Sequence, residues 1–122
     1  GHPMSILTGH EVVVDGAYLS GADGSVPGLA NVEPYGYVRQ WKAAQEGDWT
    51  TVKAEQDRLA RIMEITSVTS GVAGFGAGVG AFKTALQLMG IFETNQMPRP
   101  VHSLKGANVE AVKKVLEDNG LL

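Results

Sequence analysis

The 122-residue sequence contains no cysteine, and this absence excludes a disulfide scaffold and a metal site built from thiolates. Aromatic side chains make up only 7% of the residues, and the ten lysines and arginines are scattered along the chain, so no nucleic-acid partner is predicted. The three histidines are too dispersed to show a metal-site spacing, and we predict no metal or other cofactor. A cysteine-free chain with a net charge of −3 agrees with a cytoplasmic protein.

A long run of large apolar side chains is also missing. Residues 65–82 form an uncharged stretch that approaches the minimum length for crossing a bilayer. It is rich in glycine, serine and threonine, however, and this composition favours a tightly packed turn and helix over a lipid-facing segment. No membrane partner is predicted.

What the first half of the chain does contain is the order strand, helix, strand, helix. We interpret residues 1–4 as a tag remnant and exclude them from fold reasoning. The four predicted elements are the strand Ser5–Thr8, the helix His10–Ser20, the strand Ser25–Leu29 and the helix Pro34–Glu46. This order is typical of parallel strands joined by helical crossovers. Because proline cannot donate to a strand ladder, Pro27 leaves a loop as the alternative for the second strand.

The second half, residues 48–122, is predicted to be a helical region. Asp48 is a candidate N-cap, and apolar residues at helical spacing predict helices over Trp49–Ile65, Gly76–Met89 and Asn108–Asn119. Residues 67–74 are expected to form a break, and residues 91–100 an extended segment. The fold class is therefore α/β, although most of the chain is helical.

Two parallel strands do not make a stable sheet by themselves, because each keeps an open edge. We therefore expect this chain to be part of something larger. Either other strands of a longer protein complete the sheet, or several copies of the chain associate as a homo-oligomer.

Few motifs carry chemistry. His10 and Glu11 follow a predicted strand end, where they could bind a ligand or act as acid or base; the alternative is an ordinary helix N-terminus. The glycine-rich segment Gly74–Gly80 lacks both the dinucleotide spacing and the lysine of a phosphate loop, and small residues for close packing explain it better. The six lysines all fall on predicted helices or their ends, and none follows a strand in an apolar context that would activate it for Schiff-base chemistry.

An ordered set of short motifs resembles one known family, the dihydrodipicolinate synthases and N-acetylneuraminate lyases, over nearly the whole chain. The matching pieces are Leu7–Gly9, Gly21–Gly24, Leu29–Val32, Tyr37–Val38, Ala43–Trp49, Ala81–Gly90 and Val112–Leu122. The resemblance implies the C-terminal part of a (β/α)8 TIM barrel. Residues 5–47 would hold its last two βα units, strands 7 and 8 with their helices, and residues 48–122 the appended C-terminal helices.

The resemblance also implies an activity for the complete enzyme. Family members form a Schiff base between a lysine on strand 6 and a 2-oxo acid such as pyruvate. A tyrosine relays protons, and a glycine-rich loop near the start of the chain binds the carboxylate of the 2-oxo acid. All three lie upstream of Ser5, so no catalytic residue is expected in this chain, which we predict to be inactive alone.

What carries over is a set of substrate-binding residues at the rim of the pocket. They are Gly9, His10, Glu11, Val26 and Gly28. In the sugar-acid lyases the positions of His10 and Glu11 contact substrate hydroxyls, and Val26 and Gly28 match residues that face the bound 2-oxo acid. Many family members have a bulkier residue at the position of Gly28. The wider pocket that Gly28 would leave favours a related aldolase or lyase over the synthase. The alternative function for the chain is a non-catalytic helical interaction module.

Overall fold

The computed structural model describes residues 2–122 and divides the chain into two compact units. The first unit ends at Ala60, and the second covers Arg61–Leu122. Helix α3, Trp49–Met63, runs through the division. A 3-10 helix, Glu64–Thr66, follows α3 directly.

The first unit has the predicted order of strand, helix, strand and helix. Its elements are β1 (Leu7–Thr8), α1 (Val14–Leu19), β2 (Gly24–Ser25), a 3-10 helix (Gly28–Asn31), α2 (Pro34–Gln45) and most of α3. The two strands are parallel, with Leu7 opposite Gly24 and Thr8 opposite Ser25. The prediction of parallel strands joined by a helical crossover is therefore confirmed.

The predicted strand Ser25–Leu29 is wrong beyond its first residue. Pairing ends with β2 at Ser25, and Pro27 is extended with φ −78° and ψ 144° but has no N–H to continue a ladder. The next residues turn into the 3-10 helix Gly28–Asn31, whose Leu29 is fully buried. Burial of Leu29 as a helical core residue, together with the missing donor at Pro27, stops the strand after two residues.

The predicted helix His10–Ser20 is too long at its N-terminal end. Helix α1 begins only at Val14, and a turn closed by the Val13 amide and the His10 carbonyl precedes it. Consecutive β-branched valines lose side-chain freedom in a helix, which weakens its start. Glu11, expected in the first helical turn, therefore lies in the segment between β1 and α1.

Helices α2 and α3 agree with the predicted bounds to within two residues. Asp48 caps α3 as expected, because its Oδ1 accepts the amide of Thr51 at 3.1 Å and its Oδ2 accepts the Thr51 hydroxyl at 2.6 Å. These bonds from Thr51 hold the pKa of the Asp48 carboxyl below its usual value. The buried apolar residues of the first unit are Val14, Tyr18, Leu29, Val32, Tyr37, Ala43, Val52 and Leu59.

The second unit contains α4 (Gly78–Leu88) and α5 (Ala107–Asp118), close to their predicted bounds. Both helices pack against the 3-10 helix Glu64–Thr66 and against each other. The uncharged stretch 65–82 is thus divided between that 3-10 helix, a turn region and the start of α4. Among the described residues, no helix combines the length and the apolar character needed to span a bilayer.

Candidate functional site

Two short segments follow the strands of the first unit and lie side by side. Gly9–Glu11 comes after β1, and Val26–Gly28 comes after β2. The carboxyl ends of parallel strands meet at one edge of a sheet. The Thr8 carbonyl accepts the Val26 amide at 2.8 Å, and a Cβ placed on Gly9 would lie 3.7 Å from the Val26 carbonyl oxygen. All five sequence-predicted site residues therefore lie in these two neighbouring segments, which we call the rim.

The side chain of Glu11 bridges the two rim segments. Its Oε1 accepts a hydrogen bond from the amide of Gly28 at 3.1 Å. Gly28 follows Pro27, and in a longer strand its amide would have donated to the strand ladder instead. The carboxylate is half-buried, and it fixes the distance between the segment after β1 and the 3-10 helix after β2.

The backbone of Glu11 is held just as firmly. Its carbonyl accepts the hydroxyl of Tyr37 at 3.0 Å and the Nε2 amide of Gln56, also at 3.0 Å. Oε1 of Gln56 in turn accepts the amide of Asp15 at 3.0 Å and Nε2 of Gln40 at 3.1 Å. Helices α2 and α3 thereby position the rim through buried polar side chains.

Burial keeps the Tyr37 hydroxyl in its donating form. Tyr37 is only 5% exposed, and desolvation raises the pKa of its hydroxyl well above the usual value, with the nearby charge of Glu11 adding to the shift. A protonated hydroxyl is required for the bond to the Glu11 carbonyl. The raised pKa therefore favours the form of Tyr37 that makes this contact.

Sequence reasoning missed this polar support of the rim. Gln56 lies between Val52 and Leu59 in the apolar stripe of α3 and is 4% exposed, and Gln40 is fully buried on α2. A polar side chain at a core position of an amphipathic helix is the signal that could have identified Gln56, since buried amides are retained only with hydrogen-bond partners. The bond partners themselves depend on tertiary structure.

His10 and Val26 are the exposed rim residues that carry side chains, and Gly9 is exposed as well. The His10 backbone amide donates to Oγ1 of Thr8 at 3.3 Å, while its exposed ring makes no hydrogen bond within residues 2–122. Val26 is 70% exposed. His10 thus offers a solvent-facing ring that is free to contact a ligand.

An open apolar cleft of about 350 Å³ lies beside β2 in the same unit. Its walls include Leu7, Tyr18, Pro27, Val38 and Trp41. Val38 and Trp41 on α2 are 48% and 40% exposed. The cleft offers apolar surface along a strand and a helix and can accommodate other apolar side chains.

In a comparison with protein-family models, residues 1–119 match the dihydrodipicolinate synthetase family. That span includes the four residues interpreted above as a tag remnant. Two curated relatives are similar at low identity: N-acetylneuraminate lyase 2 of Escherichia coli is 27% identical over 117 residues, and 4-hydroxy-tetrahydrodipicolinate synthase of Persephonella marina is 26% identical over 117 residues. These alignments cover 95% and 96% of this chain.

Solved structures give the same result for the fold. Dihydrodipicolinate synthase of Bacteroides thetaiotaomicron superposes with a TM-score of 0.84 and 29% identity over 93% of this chain. The chain spans 36% and 38% of the curated relatives and 37% of that synthase, so the fold is that of a part of the barrel. Because the family match covers nearly all of its 122 residues, this chain belongs to the dihydrodipicolinate synthetase family.

Proposed function

We propose that this chain supplies the pocket rim and helical scaffold of a Schiff-base-forming lyase or synthase that acts on a 2-oxo acid such as pyruvate. The observation that carries the proposal is the family match over residues 1–119. In this proposal β1 and β2 are strands 7 and 8 of the barrel, and residues 48–122 are its appended helices. Gly9, Val26 and Gly28 line the pocket for the 2-oxo acid, His10 reaches a hydroxyl of the second substrate, and Glu11 completes the rim.

The lysines of the chain support the proposal that it is inactive alone. A Schiff base requires an unprotonated amine, which proteins obtain by burying a lysine away from acidic partners. Here Nζ of Lys53 lies 2.9 Å from Asp57, and Nζ of Lys114 lies 2.9 Å from Asp118. Hydrogen bonds that the two lysines donate to these carboxylates raise the pKa of both amines, which disfavours the nucleophilic form.

The remaining four lysines are no better placed. Lys83 donates to the carbonyl of Gln96 at 3.1 Å, and Lys113 lies 3.9 Å from Glu117. Lys42 and Lys105 are exposed to solvent. None of the six follows a strand of the sheet, where a lysine could reach the rim.

Trapping with borohydride tests this proposal on the isolated chain. Incubation with pyruvate and sodium borohydride reduces any imine to a stable secondary amine, which intact-protein mass spectrometry detects as the added mass of one reduced pyruvate. We expect the mass of the chain to stay unchanged, while a complete family member treated in parallel gains the adduct. A stoichiometric adduct on any of the six lysines would contradict the proposal.

A second function, a non-catalytic oligomerisation module, is favoured by the apolar side chains that the first unit exposes. Ile6, Leu7 and Tyr35 are 52%, 55% and 72% exposed, and both strands of the sheet have an open edge. Copies of the chain that complete one another's sheets would form a homo-oligomer. Light scattering after size exclusion then gives a multiple of 12.9 kDa, whereas a monomer at all concentrations would contradict this function.

A further inference from the structure

We infer that Glu11 is a positioning residue, which sets the geometry of the rim by accepting the Gly28 amide, rather than a group that binds substrate through its charge. The inference rests on the proposed function for the identity of the pocket, and it concerns how that same site is built. It assigns the two adjacent residues different tasks: His10 faces the ligand, and Glu11 holds the wall against which the ligand lies.

The Glu11 carboxylate already has a hydrogen-bond partner within the chain. Oε1 accepts the Gly28 amide at 3.1 Å, and among the described residues this is the hydrogen bond that satisfies that amide. A backbone N–H left unpaired in a partly buried setting is costly, so the bond persists only if the carboxylate stays where it is. A carboxylate swung towards a substrate would leave the Gly28 amide without its acceptor.

Glu11 is held at its backbone as well as at its side chain. Its carbonyl is held by Tyr37 from α2 and by Gln56 from α3, each at 3.0 Å. Both donors are nearly inaccessible, at 5% and 4% exposure. A backbone that is anchored by two buried donors restricts the movement of its side chain. A positioning role requires this restriction, whereas a flexible contact with substrate does not.

The bond between Glu11 and Gly28 also fixes one wall of the proposed pocket. The bond from Val26 to Thr8 is the last one to the neighbouring strand, because Pro27 cannot donate a hydrogen bond to continue the ladder. The Glu11–Gly28 bond replaces that ladder at the point where the chain turns into the 3-10 helix Gly28–Asn31. The position of the Gly28 backbone, and with it the width of the proposed pocket, therefore depends on the Glu11 acceptor.

Nuclear magnetic resonance on the 122-residue chain tests the inference directly. A long-range HNCO experiment on the unmodified chain is expected to show a through-hydrogen-bond correlation between the Gly28 amide nitrogen and the Glu11 carboxylate carbon. The correlation between the Val26 amide and the Thr8 carbonyl carbon, which are joined by a 2.8 Å bond, serves as the internal standard. If the standard is seen and the Gly28 correlation is not, the inference is overturned.

Matched variants then separate an acceptor from a charge. In Glu11→Gln the Oε1 acceptor is retained, so hydrogen exchange at the Gly28 amide is expected to stay within about twofold of the unmodified chain. In Glu11→Ala exchange at that amide should rise about tenfold to a hundredfold, as expected for loss of a hydrogen bond to a charged group, with the Val26 amide unchanged. Equal exchange rates in the alanine and glutamine variants would contradict the positioning role.

These measurements are independent of the trapping experiment. The correlation and the exchange rates report on the folded rim without substrate, whereas borohydride trapping reports on the location of the nucleophilic lysine. A lysine adduct on this chain together with an intact Gly28 correlation would overturn the proposed function and leave the role of Glu11 standing. If no lysine adduct forms and the Gly28 correlation is missing, only the role of Glu11 is overturned.

Discussion

Replacing Leu59 by alanine is expected to lower the free energy of unfolding by about 2–5 kcal/mol, the range for a fully buried leucine. Leu59 has no exposed surface, and its Cδ2 lies 2.9 Å from where a Cβ on Gly36 would stand. The close approach of α3 to α2 at Gly36 depends on that side chain filling the space. Removing it loses apolar burial and leaves a cavity that the helix backbones close only in part. Urea unfolding followed by circular dichroism measures the change.

Leu19→Ala is the matched control for this variant. Leu19 is 68% exposed on α1, and its truncation is expected to change stability by no more than about 0.5 kcal/mol. The alanine substitution at Gly36 should also be better tolerated in the Leu59→Ala background than in the unmodified chain, because the two side chains compete for one space. Equal effects of Leu59→Ala and Leu19→Ala would contradict the packing described for the first unit.

Replacing Arg58 by alanine is expected to cost about 2–3 kcal/mol, somewhat less than the loss of a fully buried ion-pair partner because Arg58 is partly exposed. Glu33 is 4% exposed and precedes α2, where it accepts the guanidinium of Arg58 and the amide of Gly36 at 3.3 Å. Arg39 is the other nearby cation, with its Nη2 3.7 Å from Glu33. Without Arg58 the buried carboxylate loses its main counter-charge. Thermal and urea unfolding at neutral pH measure the loss.

Two comparisons identify the origin of that loss. Arg39→Ala removes a half-exposed guanidinium that mainly pairs with Glu55 at 2.6 Å, and a change of at most about 1 kcal/mol is expected. Adding Glu33→Gln to Arg58→Ala should recover part of the stability, because a neutral amide costs less to bury than an unpaired carboxylate. A double variant less stable than Arg58→Ala alone would show that the buried charge is not the cause.

The sequence predicts those parts of the fold that depend on local pattern. Helices α2 to α5 each lie within two residues of their predicted bounds, since apolar spacing and residues such as Pro34, Gly47 and Gly90 mark their ends. The parallel pairing of β1 and β2 follows from the same alternation of elements. The resemblance to the family, which rests on short motifs in a fixed order, is confirmed by the match over residues 1–119.

The parts that the sequence does not predict are those decided by tertiary contacts. The start of α1 at Val14 rather than His10 reflects a compromise between helix propensity and the turn that brings Glu11 to Gly28. The end of β2 at Ser25 reflects the missing donor of Pro27 combined with burial of Leu29. The local sequence pattern shows neither the bond between Glu11 and Gly28 nor the burial of Leu29. Placement of the five rim residues in two adjacent segments is seen in the structure, while their role in substrate binding stays a prediction.

Under the proposed function, the chemistry of the enzyme belongs to residues outside this chain. The chain spans about 37% of the synthase it superposes on, and its own lysines are exposed, ion-paired or bonded to the backbone. The rim can shape a pocket and contact a ligand, but it offers no amine to attack a 2-oxo acid. We propose that a longer protein, in which further βα units precede this chain, holds both parts.

The most direct test is borohydride trapping of that longer protein with pyruvate, followed by peptide mapping of the reduced adduct. We expect the modified residue to be a lysine on a strand roughly 20–30 residues before Ser5, the length of one βα unit, and the peptides that cover residues 5–122 to be unmodified. An adduct on any lysine between Ser5 and Leu122 would contradict the account.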